Sequence, residues 1–105
     1  MNVSVSIAGQ HSPGVQNILL VSWNRIIGFN ITYTVCYSTT SGTLYEPPSG
    51  ANCSTSGITG TYTTLGPLSR GTTYYIWVRA VSSGGRGQYS KRVENTTYNG
   101  KCTLV

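Results

Sequence analysis

Aspartate is absent from this 105-residue chain, and Glu46 and Glu94 are its only acids. With a single histidine, His11, neither a pair of catalytic carboxylates nor a Ser-His-acid arrangement can be assembled, so no catalytic residue is expected and an enzyme is the easiest class to reject. The three cysteines, Cys36, Cys53 and Cys102, and the lone His11 lack any ligand spacing such as CxxC, which argues against a metal site and leaves no cofactor to expect. No apolar run approaches the roughly 20 residues that span a bilayer, so direct membrane insertion is not expected. No signal peptide is visible either, because the chain from Asn2 onward already reads as strand; it reads as a soluble piece of something longer. Ala, Leu, Glu and Lys, the good helix formers, are scarce.

What is present is Tyr, Thr, Ser, Val, Ile and Gly in abundance, a composition that favours strands joined by tight turns and predicts an all-β domain. The length suits one domain with a real core. The net charge is +5. Its seven basic residues, Arg25, Arg70, Arg79, Arg86, Lys91, Arg92 and Lys101, do not crowd one element among stacking aromatics, so no nucleic-acid partner is expected.

The most informative stretch covers residues 65–81. A turn predicted around Gly66, Pro67, Arg70 and Gly71 is followed by strict alternation: Tyr74, Ile76, Val78 and Ala80 on one side, Tyr75, Trp77, Arg79 and Val81 on the other. That is a strand with two unequal faces. Upstream, Val3, Val5 and Ile7 alternate with small residues in a first strand, and residues 18–23 form a second with Trp23 as core anchor. From Phe29 the pattern Phe29, Ile31, Tyr33, Val35, Tyr37 predicts a third strand with Cys36 on its outward side. Residues 38–60 are rich in Ser, Thr, Gly and Pro and read as loose, with a short strand at 43–45 before Pro47-Pro48. Residues 61–65 read as a short strand, 82–88 as a Gly-rich hairpin loop and 89–97 as a last strand. Residues 99–105 read as a tail or linker after a domain spanning 1–98.

Cys36 and Cys53 are the disulfide candidates, since the loose segment carrying Cys53 returns past the strand carrying Cys36; the alternative is two free, inert thiols. Cys102 is left over and could pair with another domain or chain. Four Asn-x-Ser/Thr triplets, at Asn2, Asn30, Asn52 and Asn95, together suggest a secreted or cell-surface glycoprotein. Asn30 is the best acceptor, and Asn95 the most doubtful because alternation from Val93 points it inward.

These residues resemble a fibronectin type III domain from about Val3 to Thr97. Trp23 matches the family's core Trp on strand B, and Tyr33-Thr-Val35-Cys-Tyr37 is similar to its strand C. Leu68-Ser-Arg-Gly71-Thr72-Thr-Tyr74 resembles its Leu-x-Pro-Gly-Thr-x-Tyr turn, with Arg70 in place of Pro. The resemblance implies an immunoglobulin-like β-sandwich of seven antiparallel strands in two sheets, ABE and C′CFG, with Trp23, Tyr33, Val35, Leu68, Ile76 and Val78 in the core. It also implies that Tyr74 is a structural tyrosine corner, its hydroxyl bonded back to backbone near Leu68. Most members lack a disulfide, so the Cys36 to Cys53 bridge is inferred from this sequence alone. Arg86-Gly87-Gln88 stands where integrin-binding members carry Arg-Gly-Asp, and without the carboxylate that activity is not carried over.

The function expected is a non-catalytic extracellular interaction or spacer module of a multi-domain adhesion or receptor protein. Its partners would be a protein ligand or neighbouring domains of the same chain. Binding would use residues 24–28 and 82–88, which the fold is expected to place at opposite ends or edges of the sheet containing strand F. Any surface function on the sheet itself would begin at Tyr75, Trp77, Arg79 and Arg86. One alternative is a cytokine-receptor-like domain, with Trp77 and Arg79 stacking against Lys91 or Arg92; that family's Trp-Ser-x-Trp-Ser box is broken here by Tyr89-Ser90-Lys91-Arg92-Val93. Another is polyanion binding, of the heparan-sulfate kind, through Arg79, Arg86, Lys91 and Arg92.

Overall fold

The computed structural model describes residues 3–8, 17–54 and 57–97. Asn2, His11, Cys102 and the segment 99–105 lie outside the described residues. Among the described residues the β-rich composition is realised as eight strand segments: β1 Val3–Ala8, β2 Asn17–Trp23, β3 Thr32–Ser38, β4 Asn52–Cys53, β5 Tyr62–Leu68, β6 Thr73–Ser82, β7 Gly85–Tyr89 and β8 Val93–Thr96. They form two antiparallel sheets, one ordered β1-β2-β5, the other β4-β3-β6-β7 with β8 also paired to β6. Because β7 and β8 run along the same neighbour, they are two halves of one strand, which gives the seven strands and the ABE and C′CFG sheets of an immunoglobulin-like sandwich.

The alternation of residues along each strand sends one set inward. Leu19, Val21 and Trp23 of β2 and Leu65 of β5 meet Tyr33 and Val35 of β3 and Tyr74, Ile76 and Val78 of β6 in one buried cluster, with Leu68, Ala80 and Val93 packed against it. Trp23 and Tyr33 lie with ring centroids 5.3 Å apart, and the Tyr33 hydroxyl accepts the Ile26 amide at 2.8 Å. Buried Tyr74 sits edge-on to Tyr37, and its hydroxyl accepts the Ser69 amide at 2.9 Å. That bond ties the turn between the sheets to the strand that leaves it. Thr97 reinforces the corner: its hydroxyl accepts the Thr72 amide at 3.0 Å and its own amide donates to the Thr72 carbonyl.

Where β7 gives way to β8, a side chain replaces the missing backbone partner. Buried Ser90 accepts the Val78 amide through its hydroxyl at 3.0 Å and donates its amide to the Val78 carbonyl, so the break leaves no orphaned group there.

Several boundaries differ from the sequence reading, among them the last strand, which starts at Gly85 and is split into β7 and β8. Residues 66–67 do not turn: β5 continues through them to Leu68, and the pairing Asn17↔Leu68 then Leu19↔Leu65 shows that a bulge absorbs one extra residue of β5. The third strand begins at Thr32, not Phe29, because Asn30 takes a left-handed conformation (φ 54°) that breaks the extended run; Phe29 is left exposed. Residues 43–45 are not a strand. Thr43 and Glu46 close a tight turn, and the C′ strand is the short β4 further on.

Removing the Tyr74 hydroxyl strands the Ser69 amide without altering the core ring. Tyr74→Phe is expected to lower stability by about 1–3 kcal/mol, read as a lower urea midpoint at unchanged slope.

Candidate functional site

The outward side of the larger sheet is built from residues that face each other across three strands. Cys36 pairs with Cys53 on one side and with Trp77 on the other, and directly opposed residues of antiparallel strands share a face. Cys36 and Cys53 form a disulfide, with Cα atoms 4.0 Å apart. The segment after β4 prolongs this edge: Ser54 exchanges its amide with the Val35 carbonyl and its hydroxyl with the Val35 amide, and Ile58 pairs with Tyr33.

Trp77 departs from expectation. It lies on the outward face as alternation demands, yet is 0% exposed, so it is not part of an accessible binding surface. The cover is the turn at residues 41–46, which folds back across the sheet. Gly42 makes that return possible: its φ is +53°, and a Cβ there would stand 2.8 Å from the Pro48 ring and 2.9 Å from the Glu46 carbonyl. The turn is pinned from three directions. Trp77 Nε1 donates to the Thr43 carbonyl at 3.0 Å, the Arg92 amide to the Leu44 carbonyl at 2.7 Å and the Arg92 guanidinium to the Ser41 carbonyl at 2.9 Å.

Two cation–aromatic pairs join β6 to the β7–β8 side of the same face. The guanidinium carbon of Arg79 is 3.7 Å from the Tyr89 ring centroid, and that of Arg92 is 5.2 Å from the Tyr75 ring. Arg92 thus stacks on Tyr75, while Trp77 takes no part. The Tyr89 hydroxyl lies 3.6 Å from the Cys36 sulfur, joining the stack to the disulfide. Arg86 belongs to strand β7, not to a loop, because only two residues separate Ser82 from its partner Gly85. Beside the covering turn, Tyr45, Glu46, Arg79, Arg86, Gln88 and Tyr89 line a groove of about 510 Å³.

A second surface is the end of the sandwich formed by residues 24–30 and the 82–85 hairpin turn. The pairing Thr32↔Val81 sets the start of β3 beside the end of β6, so these two loops share one end and are not at opposite ends or edges. Ile27 is 97% and Phe29 84% exposed there, with Ile26 at 36%. The apolar character of residues 26–29 is visible in the sequence, but alternation sets Phe29 on the same strand face as Ile31 and Tyr33.

Seven antiparallel strands in two facing sheets, closed by a tyrosine corner, define an immunoglobulin-like β-sandwich module, and among the described residues no group of three or more His, Cys, Asp or Glu could hold a metal. The chain belongs to the fibronectin type III domain family, whose family model matches residues 11–96. Among solved structures it is similar to the third fibronectin III domain of human KIAA0343 protein, at TM-score 0.69 and 20% identity over 95% of this chain and 81% of that one. It is also similar to a structure described as a myokine, at TM-score 0.64 and 18% identity over 90% and 93% of the two chains. Both likenesses concern the fold. No curated protein matches the chain in sequence.

Replacing both Cys36 and Cys53 with Ala is expected to cost about 3 kcal/mol, since the bridge spans a sequence separation of 17 residues; chemical denaturation of the pair variant checks this. Trp77→Phe removes the bond to Thr43 and should cost about 1 kcal/mol locally. Amide exchange at Arg92 should then rise roughly fivefold while exchange at Val78, in the core, stays slow.

Proposed function

We propose that this domain is a non-catalytic, extracellular protein-interaction module of a multi-domain adhesion or receptor protein, and that its ligand surface is the end formed by residues 24–30 and 82–85. The observation that carries this reading is the exposure of Ile27 and Phe29 two residues apart. Leaving a large apolar side chain in water forgoes about 1.5–3 kcal/mol of burial energy, and clustered exposure of this kind marks an interaction site. Asn24, Arg25 and Asn30 give the cluster a polar rim, and an aromatic anchor surrounded by polar groups is the usual make-up of a binding hot spot.

Several features support the extracellular setting. Fibronectin type III domains are mostly extracellular and generally serve as binding or spacer modules, typically in protein–protein interactions. The Cys36–Cys53 disulfide suits an oxidising compartment. Asn30 and Asn52 are exposed sequon acceptors, and a glycan on Asn30 would border the apolar cluster. Asn95 is half-buried, with its side-chain oxygen accepting the Thr96 amide at 2.8 Å, which makes it the poorest described acceptor.

The cytokine-receptor-like reading draws on the two Arg–Tyr stacks along β6. The broken Trp box and the covered Trp77 rank it second. Polyanion binding has less support, because Arg92 is engaged with Ser41 and Tyr75 while Arg79 and Arg86 share their groove with Glu46.

A binding screen against a panel of cell-surface proteins, run with the native domain and with Ile27→Ser/Phe29→Ser, tests the proposal. A ligand whose affinity falls at least about tenfold in a variant of unchanged melting temperature is expected. Binding that survives the substitutions refutes the assigned surface, and silence in both forms marks a spacer.

A further inference from the structure

We propose that the groove between the 43–46 turn and β7 accepts a carboxylate carried by an extended acidic segment of a protein partner. This site is on the sheet face and does not depend on the loop-end surface, so either proposal can fail alone.

The argument begins with Arg79. Its guanidinium is held over the Tyr89 ring at 3.7 Å, and its Nε is buried without a hydrogen-bond partner. A guanidinium fixed by stacking has already lost much of the freedom that binding would take from it, and its planar fork matches a carboxylate better than it matches any neutral acceptor. A buried donor with no partner is rare enough in folded proteins to require a reason. Arg86, exposed on β7, supplies a second positive charge to the same groove, and Gln88 adds amide donors and an acceptor. Tyr45 and Tyr89 give it aromatic surface. The space, about 510 Å³, is larger than one carboxylate and within the range of pockets that take a side chain together with its neighbours.

Two observations choose a peptide over a sulfated glycan. First, β7 ends the sheet order, and an edge strand offers backbone donors and acceptors to an added extended segment. Second, Glu46 stands on the groove wall. It repels a densely charged polyanion but leaves room for a single carboxylate set between the two arginines, and it favours a partner with a basic or neutral residue beside the acid.

The test is a nuclear magnetic resonance titration of the labelled domain with a short blocked peptide of alternating Thr and Val carrying one central Glu. The same peptide with Gln at the centre and a heparin oligosaccharide serve as the other two probes. The expected result is shift changes at Arg79 and residues 86–89 with the Glu peptide, and binding about tenfold weaker with the Gln peptide. Arg86→Gln, at an exposed position, should weaken the Glu peptide by a similar factor, whereas Glu46→Gln should tighten it a few-fold. Tightening by loss of a charge is not something a merely structural role produces. Equal response to both peptides overturns the proposal, as do shifts confined elsewhere, no response at millimolar peptide, weaker binding in Glu46→Gln, or heparin binding in the groove without peptide binding.

Discussion

The hydrogen bond from the Trp77 indole to the Thr43 carbonyl decides what the larger sheet can present to its surroundings. An indole on the outer face of a sheet would otherwise be a bare apolar plate. The bond supplies the polar handle that a buried Trp needs and in doing so anchors the turn that buries it. Once the turn is down, its flank becomes one wall of the groove, Arg92 finds backbone carbonyls to donate to, and Arg79 is left as the cation facing the open side. The sandwich therefore has two apolar layers of unequal size: the main core between the sheets, and a thin outer layer of buried Cys36 and Trp77 with half-buried Tyr89 beside them.

The core was legible because period-two alternation and burial obey the same rule. Tyr74, Ile76 and Val78 alternate in sequence and meet Leu19, Val21 and Trp23 across the sandwich, and the family-like turn before Tyr74 placed its hydroxyl correctly to within one residue. What alternation could not resolve was where extended chain stops. Phe29 continues the pattern of Ile31 and Tyr33, but pattern carries no information on a left-handed residue such as Asn30. Gly66 and Pro67 look like a turn by composition, yet a bulge against β2 keeps them in the strand.

The surface was less legible for a different reason. Alternation assigns Trp77 a face but cannot say whether that face is wet. Its cover comes from residues 41–46, which have no period-two pattern and are held through the backbone carbonyls of Ser41, Thr43 and Leu44, while the side chains of Leu44 and Tyr45 stay exposed. Alternation alone places Tyr75 and Trp77 on the candidate surface, whereas the exposed aromatics among the described residues are Phe29, Tyr45 and Tyr62. Sequence reasoning also separates residues 24–28 from 82–88, a matter of strand register that only the pairing Thr32↔Val81 determines. The arginines fared better: Arg79 and Arg86 do converge, through β6 and β7.

The disulfide also has a mechanical side. β1 starts at the end of the sandwich that carries the 24–30 loop, whereas β8 finishes at the opposite end, beside the start of β6. A pull on the two chain ends therefore shears the sandwich along its strands instead of unzipping it from one edge. If the strands do part under load, the cystine still holds the segment from Cys36 to Cys53 closed, withholding about 60 Å of contour at ~3.5 Å per residue. The covered tryptophan, the groove wall and β4 all lie on or beside that closed loop, so the same crosslink that fixes the outer layer shortens how far the domain can be drawn out.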